Sequence, residues 1–269
     1  IKDWNMNLSE IKKNINKNTK VIIATHIYNF PLEIDELKKI CNKKKIILIE
    51  DAAEVLGQKL NNKKCGSFGD ISTFSFYANK QITTGEGGMI TTNSKKLYEK
   101  MSSLKNLSFG KIDRFNHDDI GWNYRMTNLQ ASLGVSQLKR IDKIVSIRHK
   151  VGLRYYNNLK NNKNLFMPPP KQKNSKNIYW VIAILITNKK LKLDAKKVIS
   201  LLKKEGIGTR PFFWPMHQQK ILNKLKLIKS KNFPNSEYIC KYGLYLPSSL
   251  SLKNSQIDYI SNKINSIIS

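Results

Sequence analysis

Two β-branched apolar runs, Val21 to Thr25 and Ile46 to Glu50, flank a stretch from Leu32 to Cys41 whose apolar residues recur at helical spacing. A strand, a helix and a strand at this distance make a βαβ unit, and such a unit requires a parallel sheet. Asp51 follows at the carboxyl end of the second strand, the edge at which open α/β sheets bind ligands. Further strands are expected at Ile71 to Phe76 and Gly88 to Thr92, on either side of a glycine-rich turn from Thr83 to Gly88. A helix is expected from about Ser94 to Asn106.

Beyond this the pattern from Met126 to about Asn157 is that of a long amphipathic helix with room for one break, joining two domains. The run Met167-Pro-Pro-Pro170 closes it with a stiff connector. A strand (Ile178 to Ile186), a helix (Asp194 to Lys204), an extended piece with Arg210 and Pro211 and a final helix from about Asn254 follow. The expected organisation is a large parallel-sheet domain over 1–125, a linking helix over 126–150 and a small α+β domain over 151–269.

Net charge is +29, which invites a nucleic-acid reading. Only six of the 48 basic residues are arginine, however, and the lysines are spread through every segment along with Asn and Ile. Arginine is the better fork for phosphates and base edges, so the surplus reads as a solvated basic surface and no nucleic-acid partner is expected. Cys41, Cys65 and Cys240 lie far apart without metal or disulfide spacing, which implies free thiols, no metal site and a reducing, cytoplasmic setting. The longest apolar run, Tyr179 to Ile186, is far short of the roughly 20 residues that cross a bilayer, so no membrane association is expected.

Two stretches carry chemistry. In Ile49-Glu-Asp-Ala-Ala-Glu54 a strand-end carboxylate precedes small residues that let a flat group approach. Such a carboxylate holds a pyridine nitrogen protonated, as an electron-sink cofactor requires, although Asp51 equally suits a cap on the following turn. In Phe74-Ser-Phe-Tyr-Ala-Asn-Lys80 a lysine follows an aromatic strand, where partial desolvation makes an amine nucleophilic toward an aldehyde. Ser75 is close enough in sequence to donate to a phosphate.

The segments Glu50-Asp-Ala-Ala-Glu54, Gly66-Ser-Phe-Gly-Asp70, Phe74 to Lys80, Thr84-Gly-Glu-Gly-Gly88 and Gly121-Trp-Asn-Tyr-Arg-Met-Thr-Asn-Leu-Gln130 occur in one order. Together they resemble the DegT/DnrJ/EryC1/StrS family of sugar aminotransferases, and the likeness runs from near Trp4 to the C-terminus. The resemblance implies an α/β fold-type I, aspartate aminotransferase-like enzyme that uses pyridoxal 5′-phosphate (PLP). It implies that Lys80 is the Schiff-base lysine, that Asp51 pairs with the pyridinium, that Glu54 lies near the phenolic oxygen and that Ser75 binds the phosphate. Asn123 matches a residue given to the phosphate across a homodimer interface with shared active sites. His26 matches a position near the active site and suits a satisfied core histidine equally well.

In the smaller domain, Gly208-Thr-Arg-Pro-Phe-Phe-Trp-Pro-Met-His217 and Gly243-Leu-Tyr-Leu-Pro-Ser248 are similar to the perosamine synthetase branch. That branch aminates C4 of a GDP-linked 4-keto-6-deoxy sugar, with glutamate as donor by family analogy, in surface polysaccharide or lipopolysaccharide precursor synthesis. The likeness implies substrate contacts from Arg210, Phe212 and His217, each of which equally suits domain packing. Amination at C3, a UDP-linked substrate, and a silent binding module stay open as alternatives; family dehydratases carry His in place of the lysine. The chain opens at Ile1 without Met, and the family's phosphate-binding Gly-Thr or Ser-Thr turn and ring-stacking aromatic have no counterpart. A missing N-terminal segment is therefore expected.

Overall fold

A computed structural model of the chain describes residues 4–28, 30–172, 174–228 and 232–269. The described residues form two compact units, one of residues 5–27 and 31–144, the other of residues 4, 28, 30 and 145–269.

The first unit opens with α1 (Leu8–Asn14), whose first N–H groups are capped by the Asn7 side chain. Strand β1 (Val21–Thr25), helix α2 (Ile34–Lys44) and strand β2 (Ile47–Asp51) form the expected βαβ unit. A small hairpin of β3 (Lys59–Leu60) and β4 (Lys63–Lys64) precedes β5 (Ile71–Ser75) and β6 (Gly88–Thr91). The sheet order is β1-β2-β5-β6, parallel except at its last pair. Strand β6 runs antiparallel because the loop joining it to β5 carries no crossover helix, and a parallel partner needs one.

Alternation along the strands decides which side chains meet the core. Ile22, Ala24, Leu48 and Glu50 point to the face covered by Ile34, Leu37 and Cys41 of α2. Thr25, Asp51 and Thr73, which share one register row, point the other way. Helices α3 (Lys95–Leu104) and α4 (Asn128–Leu138) follow, the latter begun by a capping box between Thr127 and Gln130.

The helix expected over 126–157, with room for one break, is broken once into two. The backbone tightens where Arg140 N–H donates to Gln137 O, and α5 (Ile141–Leu159) starts anew.

In the second unit α5 packs Val151, Tyr155 and Leu159 onto an antiparallel sheet of order β11-β12-β10-β7. Its elements in chain order are β7 (Leu165–Phe166), a hairpin of β8 (Lys171–Gln172) and β9 (Ser175–Lys176), β10 (Ile182–Ile186), α6 (Ala195–Lys204), β11 (Arg210–Pro211), α7 (Lys220–Lys224), α8 (Pro234–Tyr242), β12 (Gly243–Leu246) and α9 (Asn254–Ile267). Strand β10 is shorter than the expected Ile178 to Ile186, because Tyr179 takes a φ of +48° that interrupts the extended run. Val198 and Leu202 of α6 and Ile257, Ile260 and Ile264 of α9 complete the core. Each such buried side chain contributes about 1.5–3 kcal/mol of transfer free energy.

Among the described residues the three cysteines are free thiols, no cluster of His, Cys, Asp or Glu is arranged to hold a metal, and no helix is long and apolar enough to cross a membrane.

Candidate active site

Asp51 closes β2, in register with Thr25 on one side and Thr73 on the other. Neighbours in parallel register point the same way, so Asp51, Thr73 and, two residues on, Ser75 lie on one face at the carboxyl edge. The Thr73 hydroxyl donates to Asp51 Oδ1 at 3.5 Å, and Ala53 N–H donates to the same oxygen at 3.1 Å. The second contact is the turn-capping bond that the residue type alone suggests, and it coexists with the strand-end placement.

Lys80 lies on the turn between β5 and β6. Phe76 N–H donates to Gly87 O (2.9 Å), Thr84 N–H to Phe76 O (3.0 Å) and Lys80 N–H to Tyr77 O (3.0 Å). Ile82, fully buried against Phe76 and Ile144, anchors the turn to the start of α5. The Lys80 side chain is half-buried. Burial pushes its ammonium below the ordinary lysine range, and the carboxylates of Glu54 and then Asp51 oppose the shift in part. The structure thus brings an amine with a lowered pKa within the electrostatic reach of the two carboxylates singled out in the sequence. Glu54 is itself buried, and its carbonyl accepts from Gln81 Nε2 at 2.6 Å, which fastens the residue after Lys80 to the segment after Asp51.

Ser75 ends β5, where its hydroxyl accepts from Tyr77 N–H at 3.3 Å. Asn123 is exposed, pairs with Asn106 across an isolated bridge and accepts from Arg125 Nε at 3.2 Å. His26 is wholly buried: its Nδ1 accepts from Leu32 N–H at 3.0 Å, which leaves Nε2–H to donate to Glu50 Oε1 at 3.0 Å. Of its two readings, that is the satisfied core histidine.

Glu50, unmarked by the sequence reading, is the buried hub next to Asp51. Its carboxylate accepts from the backbone N–H groups of Gly66 (2.5 Å), Phe68 (2.8 Å) and Gly69 (3.0 Å) and from the Ser72 hydroxyl (3.3 Å). Burial favours protonation, but the bonds from His26, Gly66 and Phe68 outweigh it and hold the group below the usual carboxylate range. A glutamate at a core-facing strand position, ahead of a Gly-x-x-Gly turn rich in N–H donors, was the available signal.

The remaining sequence-marked residues belong to the second unit. Arg210 and Phe212 line a cavity of about 930 Å³ with Phe213, Trp214, Glu237 and Tyr245. Arg210 is exposed, whereas Phe212 is only 3% exposed, stacked on Tyr28 with ring centroids 4.3 Å apart and edge-on to Trp4. Its ring is therefore largely spent on packing. His217 Nε2 bonds to Glu237 Oε1 at 2.9 Å and its ring lies against Phe233.

The model of the DegT/DnrJ/EryC1/StrS aminotransferase family matches residues 1–265. GDP-perosamine synthase of Escherichia coli O157:H7 is 35% identical over 266 residues, 99% of this chain and 70% of that protein. The Vibrio cholerae GDP-perosamine synthase is 37% identical over 96% of this chain and 69% of its own length. Among solved structures, Helicobacter pylori PseC, an aminotransferase involved in the biosynthesis of pseudoaminic acid, superposes with a TM-score of 0.92 at 28% identity, covering 100% of this chain and 72% of that one.

Proposed function

The chain belongs to the DegT/DnrJ/EryC1/StrS aminotransferase family, the PLP-dependent sugar aminotransferases of nucleotide-sugar biosynthesis, and from that premise we propose that it transfers an amino group from glutamate to C4 of a GDP-linked 4-keto-6-deoxy sugar. The observation that carries the chemistry is the half-buried Lys80 on the turn after β5, within electrostatic reach of Glu54 and of Asp51 at the end of β2. The GDP-linked substrate is supported by 35% and 37% identity to two GDP-perosamine synthases.

The donor set on the first unit's sheet edge fits PLP. Lys80 offers an amine to the aldehyde, Asp51 a carboxylate to the ring nitrogen, Glu54 a group for the phenolic oxygen and Ser75 a hydroxyl for the phosphate. Bound there, PLP supplies an electron sink that stabilises charge on the carbon losing its proton. With its amine free of the aldehyde, Lys80 would be the base that takes the proton from the donor carbon and, in the other half-reaction, the acid that supplies one to the sugar carbon. Asp51 would hold the ring nitrogen charged. Asn123, exposed on the first unit, serves the phosphate of a second copy in a homodimer with shared sites. Arg210 contributes a fork to the substrate diphosphate, and His217 contributes from the same segment.

A second reading, a UDP-linked amino sugar precursor, has its own support. The Helicobacter pylori UDP-4-amino-4,6-dideoxy-N-acetyl-beta-L-altrosamine transaminase is 31% identical over 87% of this chain. Incubation with glutamate and either a GDP- or a UDP-linked 4-keto-6-deoxy sugar, with the aminated carbon located by NMR, separates the two. Amination at C4 of the GDP sugar supports the first reading; exclusive turnover of the UDP sugar, or amination at C3, refutes it.

A further inference from the structure

Helix α4 has no buried residue, so apolar packing does not explain what ties it to the rest of its unit. Two glutamines two turns apart supply the connection. Gln137 Oε1 accepts from Thr83 N–H at 3.1 Å while its Nε2 donates to Thr83 O at 2.7 Å, so one side-chain amide pairs with one backbone residue in both directions. Its remaining N–H donates to Leu133 O at 2.9 Å, which fixes the amide on its own helix. Two turns back on the same face, Gln130 Nε2 donates to Glu86 O at 3.2 Å. Between them Gly134 leaves the space that Thr84 fills, for a Cβ there would lie 3.0 Å from Thr84 Cγ2.

We propose that Gln137 is a positioning residue for Lys80, holding the turn that carries it so that the amine stays on the strand edge beside Asp51. This rests on the reading of Lys80 as the PLP lysine. Apolar packing holds the turn at Ile82, and a directional hold comes from Gln137. It contains Gly85 and Gly87 at φ values of +80° and +152°, a conformationally permissive stretch beside Lys80. Thr83 is its pivot: the Thr83 hydroxyl donates to Phe76 O (3.1 Å) and accepts from Gly85 N–H (2.9 Å), while its backbone belongs to Gln137. Between Lys80 and Thr83, Gln81 is fastened to Glu54 O. The Lys80 N–H bond to Tyr77 O at 3.0 Å holds the N-terminal side, and Gln81 and Thr83 hold the C-terminal side. A lysine with four rotatable stem bonds escapes to water unless its backbone is so fixed.

The test uses Gln137→Leu, which keeps the bulk and removes the amide, and Gln137→Glu, which keeps an acceptor for Thr83 N–H but sets an oxygen against Thr83 O. Hydrogen exchange of the intact chain, followed by mass spectrometry, is expected to show residues 80–87 exchanging about tenfold faster in Gln137→Leu, with β2 and β10 unchanged. Limiting PLP followed by borohydride reduction is expected to place a severalfold smaller share of the pyridoxyl label on Lys80 relative to the other lysines, a chemical readout that fold stability alone does not move. Should Gln137→Leu fail to fold, Gln137→Glu is read in its place and is expected to change both quantities in the same direction. Wild-type exchange over 80–87 and a wild-type share of label in a folded variant overturn the proposal. A wild-type protein that takes no label at Lys80 overturns the cofactor reading instead, and the exchange measurement still decides whether Gln137 holds the turn.

Discussion

Glu50 and His26 bond at 3.0 Å with both side chains wholly buried, on the sheet face opposite Asp51. The pair joins β2 to the segment after β1, and the same carboxylate gathers the Gly66–Gly69 turn. Glu50→Ala strands several buried donors at once and is expected to cost about 3 kcal/mol or more of stability. Urea denaturation followed by circular dichroism measures this; a loss under 1 kcal/mol contradicts the hub.

The same residue sets an acid limit. Its folded pKa lies below the ordinary glutamate value, so the stability it contributes is full above about pH 4.3 and is lost as pH falls through the folded pKa. Gln at this position removes that dependence. Urea midpoints taken from pH 6 to 3 are expected to fall more steeply in the wild-type protein than in Glu50→Gln, and parallel curves contradict the assignment.

Lys80 behaves in the opposite sense. Burial lowers its pKa while Glu54 is the larger of the two charges that raise it. Glu54→Gln is therefore expected to shift the pH profile of Lys80 acylation downward, toward easier loss of the proton, with the exposed Lys95 as the unshifted control. Competitive labelling with mass spectrometry reads both lysines together; an upward shift at Lys80 rules out the electrostatic account.

Gly152 sits inside α5, where alanine ordinarily stabilises a helix by about 1 kcal/mol. Here a Cβ would lie 2.1 Å from Cδ2 of the fully buried Tyr179 ring. Overpacking decides the sign, and Gly152→Ala is expected to destabilise by about 2 kcal/mol or more. Thermal denaturation checks it, and a raised midpoint contradicts the packing.

The Arg154 fork on Asp258, joined by Asn158 Nδ2 at 2.8 Å, ties α5 to α9 at a partly exposed position. Solvent screening limits its worth, so Asp258→Asn is expected to lower the unfolding midpoint only slightly and to lose that effect in high salt. Denaturation with and without added salt tests both halves.

Legibility in the sequence followed range along the chain. The βαβ unit was readable because its signal is the local change of period from 2 to 3.6, and Asp51, Ser75 and Lys80 stood out because strand ends and the turn after an aromatic strand are local features. Family likeness supplied their roles, which spacing alone did not. Glu50 escaped notice because a polar residue in an alternating strand looks outward-facing until its donors, sixteen and more residues away, fold over it. Gln137 escaped because its partner Thr83 is 54 residues distant and nothing about a helix-surface glutamine marks it. The short β12 and the antiparallel setting of β6 were hidden in the same way, since pairing partners rather than propensity create them.

Peptide mapping of the borohydride-reduced, PLP-loaded protein decides whether Lys80 bonds covalently to PLP. One pyridoxyl group is expected, on the peptide containing Lys80, with neither label nor transamination in Lys80→Ala. Label confined to another lysine, or transamination undiminished in Lys80→Ala, contradicts it.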